Sequence, residues 1–184
     1  MYSENIDYYT LCSNELEGKL MKEMRPTTGK VTLALFNILG NIHGSRFLDL
    51  FSGSGQIALT AAKRGASEVT LVESERKRLA DIAKKAPSGV KCLCMDARRA
   101  LQRFAKNGES FDIIFADPPY KLGWGKEFPE LMRSCEGVVA DGGVVVFEHS
   151  EDEEAAPIDD ADWERDDRRY GGTTLTFYRR REDD

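Results

Sequence analysis

The sequence has 184 residues, 41% hydrophobic and 32% charged, enough for one domain with a sizeable core and too few for two comfortable ones. No apolar run approaches the roughly 20 residues of a membrane span, and the N-terminus MYSENIDYYT has neither a basic nor an apolar signal region, so a cytoplasmic protein is expected. The net charge of −6 is local: residues 1–149 hold 20 Lys/Arg and 19 Asp/Glu, whereas residues 150–184 hold 6 and 13.

In chain order, residues 1–24 read as an N-terminal extension, either a short hairpin or a helix. Residues 25–184 read as a single domain. Thr28 suits an N-cap. Val31, Ala34, Leu35, Ile38 and Leu39 then follow the i, i+3, i+4, i+7, i+8 spacing of a one-faced helix. "RFLDLF" (46–51) reads as a buried strand, followed by "SGSG", a helix from Gln56 to Arg64, and Gly65 as its C′ glycine. Strand "EVTLVE" (68–73) leads to a helix over 75–86 that Pro87 stops. Strand "VKCLCMD" (90–96) ends in Asp96, placed to cap a helix through Ala105. "FDIIFAD" (111–117) is a fourth strand, residues 126–137 a helix, and "GGVVVFEH" (142–149) a fifth strand. The acidic stretch "SEDEEAAPIDDADWERDD" reads as a solvated or partly disordered loop. Strands over 163–169 and 173–179 close the chain, separated only by "YGG".

Five rounds of strand and helix predict a mostly parallel sheet with helices on both faces. The last two strands form an antiparallel hairpin at one edge. The expected fold is therefore α/β and Rossmann-like, with seven strands. Cys92 and Cys94 form C-x-C inside a strand, with Cys12 and Cys135 elsewhere. That is no zinc spacing, and no metal site is expected.

Ligands of an open parallel sheet bind beyond the carboxyl ends of its strands. Those ends carry Asp49 with Ser52-Gly53-Ser54-Gly55, then Glu73, Asp96 with Ala97, and Asp117-Pro118-Pro119-Tyr120. One acid at a strand end is commonly a helix cap; four in succession point to a ligand. The P-loop pattern G-x-x-x-x-G-K-[ST] is absent. Ala58 at the third glycine position leaves a dinucleotide site open, but Asp49 ahead of the glycines favours a cationic ligand over a pyrophosphate. Glu73 lies 20 residues after Gly53, the spacing at which an acid reaches ribose hydroxyls.

"FLDLFSGSG", "VTLVE", "MDA" and "FADPPY" in this order resemble the motifs of class I S-adenosylmethionine-dependent methyltransferases. "DPPY" is similar to the acceptor motif of enzymes that methylate amino groups of nucleic-acid bases. "RPTTGKVTLALFNIL" (25–39) and "YGGTTLTFY" (170–178) resemble the bacterial 16S ribosomal RNA guanine-N2 methyltransferases. Two features depart from that family. The stretch before RPTT is mixed in charge rather than basic, and Gly29-Lys30 replace the usual Asp-Arg.

The resemblance implies S-adenosyl-L-methionine as cofactor, S-adenosyl-L-homocysteine as product, and a monomer acting on ribosomal RNA or the small subunit. It implies Asp49, Ser52, Gly53 and Gly55 around the methionine end, Glu73 on the ribose, and Asp96 with Ala97 at the adenine. Asp117 and the Pro118 carbonyl would hold the target amine, and Tyr120 would stack on the base. Arg25 and Lys30 would meet RNA. Arg98, Arg99 and Arg103, or Arg168 and Arg169 with the arginines at 179–181, are further candidates for a basic face. DPPY also serves DNA adenine-N6 methyltransferases, which usually need an extra target-recognition region. An NAD-linked oxidoreductase would leave DPPY unexplained. A non-catalytic binding module would not need Asp49, Asp117 and Tyr120.

Overall fold

The computed structural model describes residues 29–120, 122–158 and 162–181. The expected N-terminal hairpin, the Thr28 cap and Arg25 lie outside the described residues. The elements are α1 (Gly29–Leu39), β1 (Arg46–Asp49), α2 (Gln56–Lys63), β2 (Glu68–Glu73), α3 (Arg76–Ala83), β3 (Val90–Cys94), α4 (Ala97–Asn107), β4 (Phe111–Ala116), α5 (Trp124–Ser134), β5 (Val139–Ser150), β6 (Trp163–Tyr170) and β7 (Thr173–Arg180).

All seven strands join one sheet in the order β3-β2-β1-β4-β5-β7-β6. The first five are parallel; β7 pairs antiparallel with both β5 and β6. Period-2 alternation sends successive strand residues to opposite faces. Leu48, Ile114 and Phe147 pack against Leu101, Phe104 and Phe128 of α4 and α5. Phe47, Phe115 and Val146 pack on the other face, where Leu35, Ile57 and Ile82 come from α1, α2 and α3. Each such side chain, fully covered, contributes about 1.5–3 kcal/mol.

Three elements differ from the expectation. β5 begins at Val139 rather than at Gly142, because Val139 already pairs with Phe111 before the register shifts and Val144 pairs with Ile113. Gly142 (φ 67) lies between those two pairings, so it marks an irregularity inside the strand instead of its start. The fifth helix is shifted to Trp124–Ser134 and contains Pro129.

The acidic stretch after β5 is not simply solvated. Ala155 and Ile158 are buried in the core. Proline has no N–H to give the carbonyl four residues back, which here is that of Gly125. The Ala156 N–H donates to that carbonyl instead, at 2.8 Å. Glu153 Oε1 accepts the Gly125 N–H at 2.8 Å, and the Tyr178 hydroxyl donates to the Ala156 carbonyl at 2.5 Å. The segment is a strap that completes the first turns of α5.

Candidate active site

The strand order reverses between β1 and β4: α2 leaves toward β2, and the chain after β4 leaves toward β5. That switch opens a crevice at the carboxyl ends of the strands. It contains two adjoining hollows, of about 120 and 390 Å3, and Phe51, Gly53, Arg78 and Asp117 border both.

Asp49 ends β1 with 1% exposure. Its Oδ2 accepts the Ala58 N–H at 3.3 Å, whereas Oδ1 is buried with no hydrogen-bond donor. Burial pushes this carboxyl up to about 7; the Ser52 hydroxyl and then the Ala58 N–H oppose the shift, and the neighbouring Asp117 charge adds to it. A buried carboxylate oxygen lacking a donor is the feature that a cationic ligand satisfies.

Glu73 ends β2 and is buried. Its Oε2 accepts the Gly53 N–H at 3.0 Å and its Oε1 the Glu75 N–H at 2.7 Å. The acid of the second strand thus holds the glycine loop of the first. Oε1 also accepts the Ser74 hydroxyl at 3.4 Å, whereas Oε2 retains a second lone pair for a hydroxyl at the crevice wall. Arg78, on the first turn of α3, lies 3.7 Å from Glu73 Oε1 and 2.7 Å from Glu75 Oε2. Gly55 does not line the crevice. It adopts φ 78, and a Cβ there would come 2.7 Å from Ile82 Cγ2, so glycine is required for turn geometry and for seating α2 against α3.

Asp96 caps α4 by accepting the Arg98 and Arg99 N–H groups at 2.9 and 3.4 Å, and it also borders the smaller hollow with Ala97. Arg98 bridges Asp96 and Glu127 and lies 4.1 Å from the Trp124 ring centroid. Phe51 meets Trp124 edge-on at 4.9 Å. Pro118 and Tyr120 complete the smaller hollow beside Asp117.

Of the residues named from sequence, Asp49, Ser52, Gly53, Glu73, Asp96, Ala97, Asp117, Pro118 and Tyr120 meet at one crevice. Lys30 is exposed on α1 and borders neither hollow. Phe51 and Met95, which stand in "FLDLFSGSG" and "MDA" without an assigned role, and Arg78, outside any quoted motif, also line the crevice. Arg78 is within reach of sequence reasoning, since it stands three residues after Glu75 at the start of a helix. Phe51 is not, because an apolar residue after a strand reads as core. Arg98 is committed to Glu127 and Asp96. In the C-terminal hairpin Arg165 pairs with Asp167, Arg168 with Asp166 and Arg180 with Glu136.

The strand order, the crevice at its switch point and the four-acid edge define a Rossmann-like class I methyltransferase. A family model described as "Conserved hypothetical protein 95" matches residues 12–179, and the chain belongs to that family. It is 33% identical over 184 residues to YlbH of Bacillus subtilis, by name a candidate rRNA methyltransferase, covering 92% of this chain and 97% of that one. It is also 33% identical over 145 residues to the ribosomal RNA small subunit methyltransferase D of Escherichia coli, covering 76% and 71%. The solved structure of yhhF from Escherichia coli, titled a candidate methyltransferase, superposes with a TM-score of 0.75 at 27% identity, covering 88% of this chain and 90% of that one.

Proposed function

We propose that this protein transfers a methyl group from S-adenosyl-L-methionine to an exocyclic amine of ribosomal RNA, specifically to guanine N2 of the small-subunit RNA. The observation that carries the reading is Asp117-Pro118-Pro119-Tyr120 bordering the same hollow as Glu73 and Asp96. The relatives named for rRNA methylation support the substrate class. The unsatisfied Asp49 oxygen supports a cationic cofactor. Asp49 would hold the ammonium of the methionine end, Glu73 the ribose hydroxyls, and Asp96 with Ala97 the adenine. The bound cofactor supplies an electrophilic methyl on a sulfonium.

An exocyclic amine is a weak nucleophile because its lone pair is delocalised into the ring. Asp117 and the Pro118 carbonyl each accept one N–H, which turns the nitrogen lone pair toward the methyl donor. Asp117 and Pro118 both precede a proline and are pushed to extended conformations, so the acceptors are aimed in advance. As nitrogen becomes cationic, the same two oxygens stabilise it, and the Asp117 carboxylate is the nearest base for the proton the nitrogen must lose. Tyr120 offers a ring face to the extruded base, worth about 1–3 kcal/mol.

Transfer of tritiated methyl to 16S rRNA, small subunits and DNA, followed by nucleoside analysis, tests the reading. N2-methylguanosine in 16S rRNA is the expected product; N6-methyladenine in DNA would overturn it. Asp117→Ala should lower kcat about 10²–10³-fold and leave cofactor affinity, measured by calorimetry, near that of wild type.

A further inference from the structure

Large apolar side chains are covered almost throughout the described residues; the exceptions are Leu33, 56% exposed, and Leu122, 50% exposed. A single exposed leucine is ordinary, so its position decides. Leu33 stands on α1 and borders neither hollow. Leu122 lies two residues after Tyr120, in the segment joining Asp117 to α5.

Described residues on either side of Leu122 are packed. Pro118 is buried and Tyr120 half-buried at the crevice. At the other end Gly123 takes φ 78, and Trp124 turns inward to 4% exposure under the Arg98 guanidinium. Gly125 is then clamped by the strap, where a Cβ would come 2.4 Å from the Glu154 carbonyl oxygen. Leu122 is therefore exposed to solvent two residues after Tyr120 and two before the buried Trp124, outside the hollows themselves. A base reaches such a site only after leaving its stack. Apolar side chains that enter between bases hold such a gap open.

We infer that Leu122 is a wedge that enters the RNA stack beside the target guanine and fills the space which the base leaves, resting on the RNA base methylation proposed above. A wedge matters for a base that must be extracted from a folded RNA and much less for one already unstacked. Leu122→Ser removes the apolar surface without adding charge, and Leu122→Met keeps it.

The test measures kcat/KM for wild type and both variants on protein-free 16S rRNA, on assembled small subunits, and on a short single-stranded oligoribonucleotide spanning the mapped target. Leu122→Ser should lose about tenfold more on folded rRNA than on the single strand, while Leu122→Met stays near wild type on both. An equal loss on both RNAs, or no loss, overturns the wedge. A loss confined to assembled subunits also overturns it, because the leucine then meets a ribosomal protein. Wild-type transfer to none of the three would sink the functional reading itself, an outcome distinct from failure of the wedge alone.

Discussion

Glu73 carries two duties that a single alanine substitution would confuse. It faces the crevice, and it holds the glycine loop through the Gly53 N–H at 3.0 Å. Glu73→Gln keeps an oxygen for Gly53 and loses the charge. It should weaken S-adenosylhomocysteine binding by about 1.5 kcal/mol, the low end for a hydrogen bond to a charged group, and Glu73→Ala by about 3. Calorimetry giving the two variants equal affinity would mean that the loop does not depend on this carboxylate. Asp49 makes a prediction in pH. Its folded value of about 7 is raised above 3.8, and burial is the largest cause. The folded protein therefore binds more protons than the unfolded chain between those values. The contribution of Asp49 to stability is fully present below about 3.8 and is lost as pH rises through about 7. Asp49→Asn should gain about 2–3 kcal/mol on the cofactor-free wild type between pH 5 and pH 8, read from urea unfolding at each pH. A cation bound at Asp49 needs the ionised form, so cofactor affinity should fall as pH drops below about 7. Cofactor binding at about pH 6 should then release a proton, detectable by calorimetry in buffers of different ionisation enthalpy. A stability difference that stays flat with pH would show that Asp49 titrates normally.

Among the elements, α5 shows best what is legible in the sequence and what is not. Its amphipathic run is plain, yet it starts two residues and ends three residues earlier than expected, because the start depends on partners far along the chain. Pro129 denies the Gly125 carbonyl its helical donor, and the Ala156 N–H replaces it. No local pattern announces that exchange. The strap escapes a sequence reading for a related reason. Its charge density suggests solvent, while its anchors are two apolar residues, Ala155 and Ile158, and backbone groups whose partners lie on α5 and β7. By contrast, β1, β2 and β4 are readable because buried parallel strands are apolar runs; β1 and β2 end in an acid and β4 is followed by one, Asp117. Gly125→Ala tests the strap. The added methyl meets the Glu154 carbonyl oxygen at 2.4 Å, so strap and helix must separate. The expected loss is about 1–3 kcal/mol of stability, with faster hydrogen exchange at Ala156. If the variant melts like wild type and Ala156 stays protected, the strap does not brace α5.

Across the whole molecule, strand order and crevice agree with the alternation of elements, while the distribution of usable charge does not follow from counting residues. The C-terminal hairpin holds several arginines, but β6 places acids two residues away on the same face. Arg165 and Arg168 are spent on Asp167 and Asp166 at 2.9 and 2.8 Å. These half-exposed pairs contribute little stability, yet each cancels a charge that a phosphate would otherwise meet. The surface near the crevice is different. Lys85 is exposed and borders the larger hollow, and Lys30 is exposed on α1; neither has an ion pair among the described residues. If RNA is the substrate, its backbone should be drawn to that side and not to the hairpin. Removing one cation that neutralises a phosphate lowers the slope of log affinity against log salt by about 0.7–0.9. The double variant Lys30→Ala, Lys85→Ala should therefore flatten the slope for 16S rRNA binding by about 1.5. Arg168→Ala should leave it nearly unchanged, because removing that arginine also frees a repelling Asp166. Filter binding across a range of salt concentrations distinguishes the two. A larger change from Arg168→Ala would place the docking face on the hairpin, and the acids of β6 would then have to turn away from Arg168 when RNA binds.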